Sequence, residues 1–134
     1  MSKRRVVVTG LGVVSPVGIG TQNAWEALLK GQSGITRITK FDPSAFASQV
    51  AGEVKNFTVE DYLPAKDARR MDKFIQYGLV AGIEAFKDSG IEVTEQNAER
   101  IGVSIGSGIG GLGLIEATND NYDEGTYRAY YQHF

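Results

Sequence analysis

The sequence predicts an α/β fold organised on a parallel sheet, and three observations carry that prediction. The opening run Arg4-Arg5-Val6-Val7-Val8-Thr9 is β-branched and continuously apolar before Gly10, the pattern of a central strand buried on both faces. Arg100-Ile101-Gly102-Val103-Ser104-Ile105 reads as a second buried strand. Between the two lies a long helical pattern, so a right-handed crossover would set the strands parallel.

Taken in order, the first strand gives way at Gly10 to a turn-rich stretch ending at Gly20. Thr21 then caps a helix whose apolar positions Trp25, Leu28 and Leu29 share a face, and Gly31 ends it. From Gln32 to Pro64, glycine and proline break the pattern into loops with one or two short strands, among them Gln49-Val50-Ala51-Gly52-Glu53-Val54. Lys66 to Lys87 reads as one long helix, with Met71, Phe74, Ile75, Gly78, Leu79, Gly82, Ile83 and Phe86 recurring every three or four residues. Gly78, Ala81, Gly82 and Ala85 lack bulk, and glycine inside a helix costs roughly 1 kcal/mol, which close packing would offset. Ser89-Gly90 stops this helix. After the second strand come a glycine-dense loop, a helix around Leu112 to Thr118 and a polar, aromatic tail from Asn119 to Phe134.

Composition narrows the function. The chain has 134 residues, 42% hydrophobic and 22% charged, which suits one domain over residues 1–134. A formal net charge of −2 gives no basic stripe for nucleic acid. No segment reaches the length of a membrane span, and the apolar run after Arg5 is too short for a signal peptide, so the expected compartment is the cytoplasm. There is no cysteine, and His133 is the single histidine. Disulfides, thiolate nucleophiles and histidine or thiolate metal sites are therefore excluded within these residues, and no catalytic or metal-binding residue is assigned.

Three constellations could still carry function. Gly10-Leu11-Gly12-Val13-Val14-Ser15 resembles a dinucleotide fingerprint, but Ser15 replaces the third glycine and Pro16 has no N–H for a pyrophosphate. The plainer reading is a tight turn leaving a strand. The cluster Gly106-Ser107-Gly108-Ile109-Gly110-Gly111-Leu112-Gly113 could cradle an anion or mark close backbone packing, and it lacks the lysine of a phosphate loop. Its Ile109 and Leu112 could wall a pocket. Lys66, Arg69 and Arg70 would share a helix face and form a basic patch in an acidic chain, the alternative being a solvated helix end. At the start of a long helix these cations would oppose the macrodipole.

The run from Arg4 through Val13-Val14-Ser15-Pro16-Val17-Gly18 resembles the opening of the elongating condensing enzymes of type II fatty acid synthesis, the β-ketoacyl-acyl-carrier-protein synthases. Gly31-Gln32-Ser33-Gly34-Ile35, Phe41-Asp42, Met71-Asp72-Lys73-Phe74-Ile75-Gln76-Tyr77 and Ile105 to Leu112 recur there in the same order, the last in the form of the synthase II branch. The resemblance covers residues 1–116, and in the divergent tail, 117–134, only Gly125, Arg128 and Phe134 keep step.

The resemblance implies part of the amino-terminal half of a thiolase-like α/β/α/β/α fold, incomplete in this chain, from a homodimeric acyltransferase that needs no cofactor. It implies decarboxylative condensation of malonyl carrier protein with an acyl-enzyme, by a cysteine and two histidines outside the matching segment. It also implies roles residue by residue. Ile109 and Phe134 would line the acyl pocket, and Lys66, Arg69, Arg70 and Arg128 would meet acyl carrier protein. The alternatives are a non-catalytic module that binds carrier protein or an intact synthase, and a dinucleotide-binding domain.

Overall fold

The computed structural model describes residues 3–123, with side chains described to residue 120. Arg128 and Phe134 therefore lie outside the described residues. Within them are a tight hairpin of β1 (Val14–Ser15) and β2 (Gly18–Ile19), helix α1 (Thr21–Leu29), and an antiparallel pair of β3 (Ile35–Arg37) and β4 (Val50–Gly52). Helices α2 (Ala65–Ala68), α3 (Lys73–Asp88) and α4 (Leu112–Asp123) follow, with single 3-10 turns at Val59–Asp61 and Ala98–Arg100.

Helix α3 is the axis of the structure, and its two sides are covered differently. One side presents Gln76, Tyr77, Val80 and Glu84, which packs against the segment from Phe57 to Ala68: Val80 and Val59 are buried, Phe57 meets Tyr77 edge-on at 4.8 Å, and Tyr62 reaches Glu84. The other side presents Gly78, Ala81, Gly82 and Ala85. A Cβ on Gly12 would overlap the Ala81 carbonyl oxygen, and one on Gly10 would lie 2.5 Å from the Ser89 nitrogen. Ile105 lies against the same side, 3.3 Å from where a Cβ of Gly78 would stand and 3.4 Å from that of Gly82. The close packing that the small residues of α3 imply is thus present, with the partner glycines supplied by residues 10 and 12.

These contacts also give direction. Residues 10 to 12 pass from Ser89 and Ala85 toward Ala81, and residues 105 to 110 pass from Gly78 and Gly82 toward Phe74. Both segments run against α3, hence parallel to each other, as the sequence predicts. They are not the buried strands it predicts. Val7 is 71% exposed and Val103 86%, and residues 3–9 and 102–108 make no backbone hydrogen bond to a described residue. The physical reason is that a parallel strand is held by ladders to neighbours and covered on both faces, whereas here α3 meets only residues 10 to 12 and Ile105, and residues 3–9 are exposed throughout.

Four further expectations are corrected. Gly20, with φ +84°, is the N-cap of α1, while Thr21 is its first residue and donates from Oγ1 to the Leu11 carbonyl at 3.0 Å. The covered face of α1 is Ala24 and Ala27, with Trp25, Leu28 and Leu29 exposed, because β2 approaches closely enough that a Cβ on Gly18 would sit 2.9 Å from the Ala24 nitrogen. The helix expected over 66–87 is broken in two at Arg69–Asp72. On α3 the residues most buried are Val80 and Gln76, while Phe74, Ile75 and Phe86 remain exposed. Other readings stand: β4 falls inside the stretch read from Gln49 to Val54, Ser89 and Gly90 end α3, and α4 begins at Leu112.

At the edge of the β3–β4 pair, the Glu53 carboxylate accepts from the Thr39 hydroxyl at 2.7 Å and from the backbone N–H groups of Thr39 and Lys40. The Thr39 hydroxyl bond is the main cause holding the Glu53 carboxyl below its ordinary 4.5. A carboxyl depressed on folding adds stability that is present above its unfolded value and lost as pH falls through the folded one. Thr39→Val should return the Glu53 titration toward 4.5 in a carbonyl-carbon NMR titration, whereas an unmoved value would refute this bond.

Packing of residues 10 to 12 on α3 leaves no space for a methyl group. Gly12→Ala should lower stability by about 1–3 kcal/mol in urea unfolding, and Gly102→Ala, where nothing lies within 4 Å, should stay within about 0.5 kcal/mol of the parent.

Candidate functional site

The break between α2 and α3 creates the candidate site. Asp72 adopts an extended conformation (φ −66°, ψ 158°) and caps α3, its Oδ1 accepting from the Lys73 N–H at 2.6 Å. The carbonyls at the end of α2 accept tight-turn backbone bonds, from Arg70 N–H at Asp67 and from Met71 N–H at Ala68. Gln76, only 6% exposed, adds to them: its Nε2 donates to the Ala68 carbonyl at 2.9 Å and to the Met71 carbonyl at 3.1 Å. Lys73 Nζ donates to Gln76 Oε1 at 3.1 Å and stands 5.5 Å from the centre of the Phe57 ring. A corner is thereby fixed between two helices of different direction.

Lys66, Arg69 and Arg70 sit on this corner, all exposed and none paired to a carboxylate among the described residues. The sequence places them at the start of a long helix, opposed to its dipole. In the structure Lys66 lies in the last turn of α2, Arg69 is its C-cap and Arg70 follows, positions where cations are compatible with helix carbonyls. They therefore stand ahead of the α3 N-cap, Asp72, rather than inside one long helix, and the patch stays a cluster of exposed positive charge.

The glycine loop comes to the same corner. Gly110 lies against the Phe74 ring so closely that any Cβ would enter it, and a Cβ on Gly111 would stand 3.7 Å from Asp72 Oδ2. This Oδ2 is shut off from solvent and has no hydrogen-bond partner among the described residues. Glycine is required at residue 110 by this stacking, which supports the packing reading of the cluster over an anion cradle. Ile109, one residue earlier, is 74% exposed. The loop that carries Ile109 thus meets α3 at Asp72 and Phe74, two to four residues after Arg70, though it lies some forty residues on in sequence.

A shallow groove of about 280 Å³ lies toward the other end of α3, lined among others by Leu11, Thr21, Asn23, Glu84 and Asp88, and Ile109 does not contribute to it. Beneath it the Tyr62 hydroxyl donates to Glu84 Oε1 at 3.0 Å. Burial, and then the Glu84 bond, raise the Tyr62 phenol above its ordinary 10.0. The dinucleotide reading gains nothing from the structure: Gly10 and Gly12 are packed on α3, and Pro16 and Val17 form the tip of the β1–β2 hairpin, with Pro16 against Gly34 and Gly52. Among the described residues no cluster of three or more metal-ligating side chains occurs, and no helix is long and apolar enough to cross a membrane.

Gln76 is the positioning residue that sequence reasoning missed. Its signal was available: a polar amide four residues before Val80 on the covered side of a helix, just after an Asp that can cap.

Known proteins resemble the chain along most of its length. The model of the β-ketoacyl synthase N-terminal domain matches residues 3–133. A 3-oxoacyl-[acyl-carrier-protein] synthase 2 of Vibrio harveyi is 62% identical over 117 residues, covering 87% of this chain and 28% of the relative. A synthase 2 of Vibrio cholerae serotype O1 is 63% identical over 116 residues with the same coverage, and one of Staphylococcus aureus strain COL is 50% identical over 113 residues, 84% of this chain and 27% of the relative. Among solved structures, the ishigamide ketosynthase/chain length factor superposes with a TM-score of 0.59 at 34% identity, covering 68% of this chain and 23% of that one. The chain belongs to the β-ketoacyl synthase family and corresponds to its amino-terminal domain. It spans just over a quarter of the length of these relatives, and its α/β architecture is that of a partial ketosynthase fold.

Two measurements check the geometry. Gln76→Leu should cost about 1–3 kcal/mol by removing the Gln76 donor from the Met71 carbonyl and the second donor from the Ala68 carbonyl, and unchanged urea stability would show that other groups hold the corner. The ultraviolet titration component lost in Tyr62→Phe should lie above pH 10.0. A phenol raised on folding adds stability that is complete below its unfolded value and fades as pH rises through the folded one. Titration at or below 10.0 would remove the Glu84 bond from the account.

Proposed function

We propose that this chain is the amino-terminal portion of a 3-oxoacyl-acyl-carrier-protein synthase of the elongating kind, contributing a carrier-protein docking corner and part of an acyl-pocket wall but not the nucleophile. The observation that carries this is that the exposed basic residues directly precede Asp72 and Phe74, the residues at the start of α3 on which the glycine loop after Ile109 packs. An acidic carrier protein held at Lys66, Arg69 and Arg70 would present its thioester-bound chain beside Ile109. The names of the relatives, each an acyl-carrier-protein synthase, favour the same partner.

The chemistry assigned to the whole enzyme is transfer of an acyl group from carrier protein to a cysteine. The enolate left when malonyl carrier protein loses carbon dioxide then attacks that thioester, forming the carbon–carbon bond and releasing the thiolate. With no cysteine in the sequence, this chain holds none of the acylated species. Its part is binding and orientation. Arg128 and Phe134 are assigned to the carrier surface and the acyl pocket by family resemblance alone. A homodimeric parent enzyme in the cytoplasm completes the proposal.

Exposed ion pairs contribute about 0–1 kcal/mol each, so binding should be weak and set by charge. Arg69→Glu with Arg70→Glu should weaken carrier binding by about tenfold or more, and about 0.5 M salt should weaken the parent chain's binding similarly. Incubation with labelled acyl carrier protein should leave no thioester on the chain. Unchanged binding and salt response in the double reversal would make the patch a solvated helix end, and a label surviving denaturation would overturn the non-catalytic assignment.

A further inference from the structure

The Asp72 carboxylate has one oxygen engaged and one idle. Its Oδ1 accepts from the Lys73 N–H and starts α3, while Oδ2 is shut off from solvent with no partner among the described residues. A buried acceptor left unpaired is costly. Donors that could pair it stand close by. Gly111 is the N-cap of α4, since its carbonyl accepts the first helical bond, from the Ile115 N–H at 2.9 Å. The next three amides, those of Leu112, Gly113 and Leu114, have no acceptor among the described residues. A helix start is commonly closed by a side-chain oxygen of its own N-cap residue, and glycine has none. Asp72 Oδ2 lies 3.7 Å from where a Cβ of Gly111 would stand, the place from which such a cap would reach. Its negative charge also suits the positive end of α4.

We propose that Asp72 is a positioning residue for the Ile109 loop: its Oδ1 starts α3 and its Oδ2 caps α4, so one side chain ties the end of that loop to the first turn of α3. Gly110, packed on the Phe74 ring, is the second anchor. This rests on the reading of the chain as a carrier-docking portion of a synthase. It adds how contact at Arg69 and Arg70 is felt at Ile109, namely through Asp72, which stands two residues after Arg70.

The test uses the 134-residue chain, isotopically labelled, with and without unlabelled acyl carrier protein. Asp72→Ser keeps an oxygen able to cap α3 and removes the one that faces α4. Amide exchange at Ile115 to Thr118 should quicken about fivefold, with exchange at Gln76 to Val80 in α3 unchanged. Adding Gly111→Ser gives α4 an oxygen of its own, and the site has room, since the nearest atoms to a Cβ there are 3.7 Å away. Exchange in α4 should then return to the parent rate. Carrier protein should shift residues 66–70 in the parent and in both variants. The response at residues 108–112 should fade in both variants, because the second one caps α4 again without tying it to α3. Unchanged exchange in Asp72→Ser, no recovery with Gly111→Ser, or an undiminished response at 108–112 in either variant would each overturn the proposal. A carrier protein that shifts no residue of the parent counts against the proposed function, while exchange in the free chain still decides the cap. Shifts at 66–70 together with unchanged exchange in Asp72→Ser do the reverse.

Discussion

The rest of the structure depends on how closely backbone can approach one side of α3. Residues 10 and 12 carry no side chain because the carbonyl of Ala81 and the backbone at Ser89 occupy that space, and Ile105 fits over Gly78 and Gly82 because these have none either. Small residues on a helix normally weaken it, at roughly 1 kcal/mol for each glycine. Here they let two extended segments cross the same helix face in one direction. The hairpin of β1 and β2, the entry to α1 and the glycine loop before α4 all take their positions from those two crossings.

The second constraint is polar. A continuous apolar period from residue 66 to 87 favours one helix, yet a buried amide and a capping carboxylate divide it. Gln76 donates to the Met71 carbonyl and adds a second donor at Ala68, and Asp72 starts the next helix. The consequence reaches the surface: Arg69 and Arg70 leave the helical cylinder just before Asp72 and Phe74, the residues that the Gly110–Gly111 turn meets. A basic corner and an exposed apolar side chain, Ile109, then occupy one end of α3, an arrangement suited to a charged carrier with an apolar cargo.

Much of this was legible in the residues, and the failures have physical causes. The β-branched segments were recognised along with their parallel course, because both patterns are local. Their burial was not, since burial belongs to whatever packs on a strand, and α3 meets only residues 10 to 12 of the first segment and Ile105 of the second. The outer face of α1 shows the same thing in Trp25, Leu28 and Leu29, whose period is right and whose cover is missing among the described residues. The basic patch was found from spacing, but its setting was misjudged, because the helix break depends on a hydrogen bond from Gln76 back to Ala68, eight residues away. The convergence with Ile109 is a tertiary fact, created by the stacking of Gly110 on Phe74, and no linear pattern contains it.

Nuclear magnetic resonance with the isotopically labelled chain and unlabelled acyl carrier protein tests the central claim most directly, since it reads every residue at once. The account predicts that amide shifts move together at residues 66–72 and 108–112, with residues 20–23 and 84–88 at the opposite groove unmoved. Movement at that groove with a silent basic corner, or movement at the corner without the Ile109 loop, would contradict it.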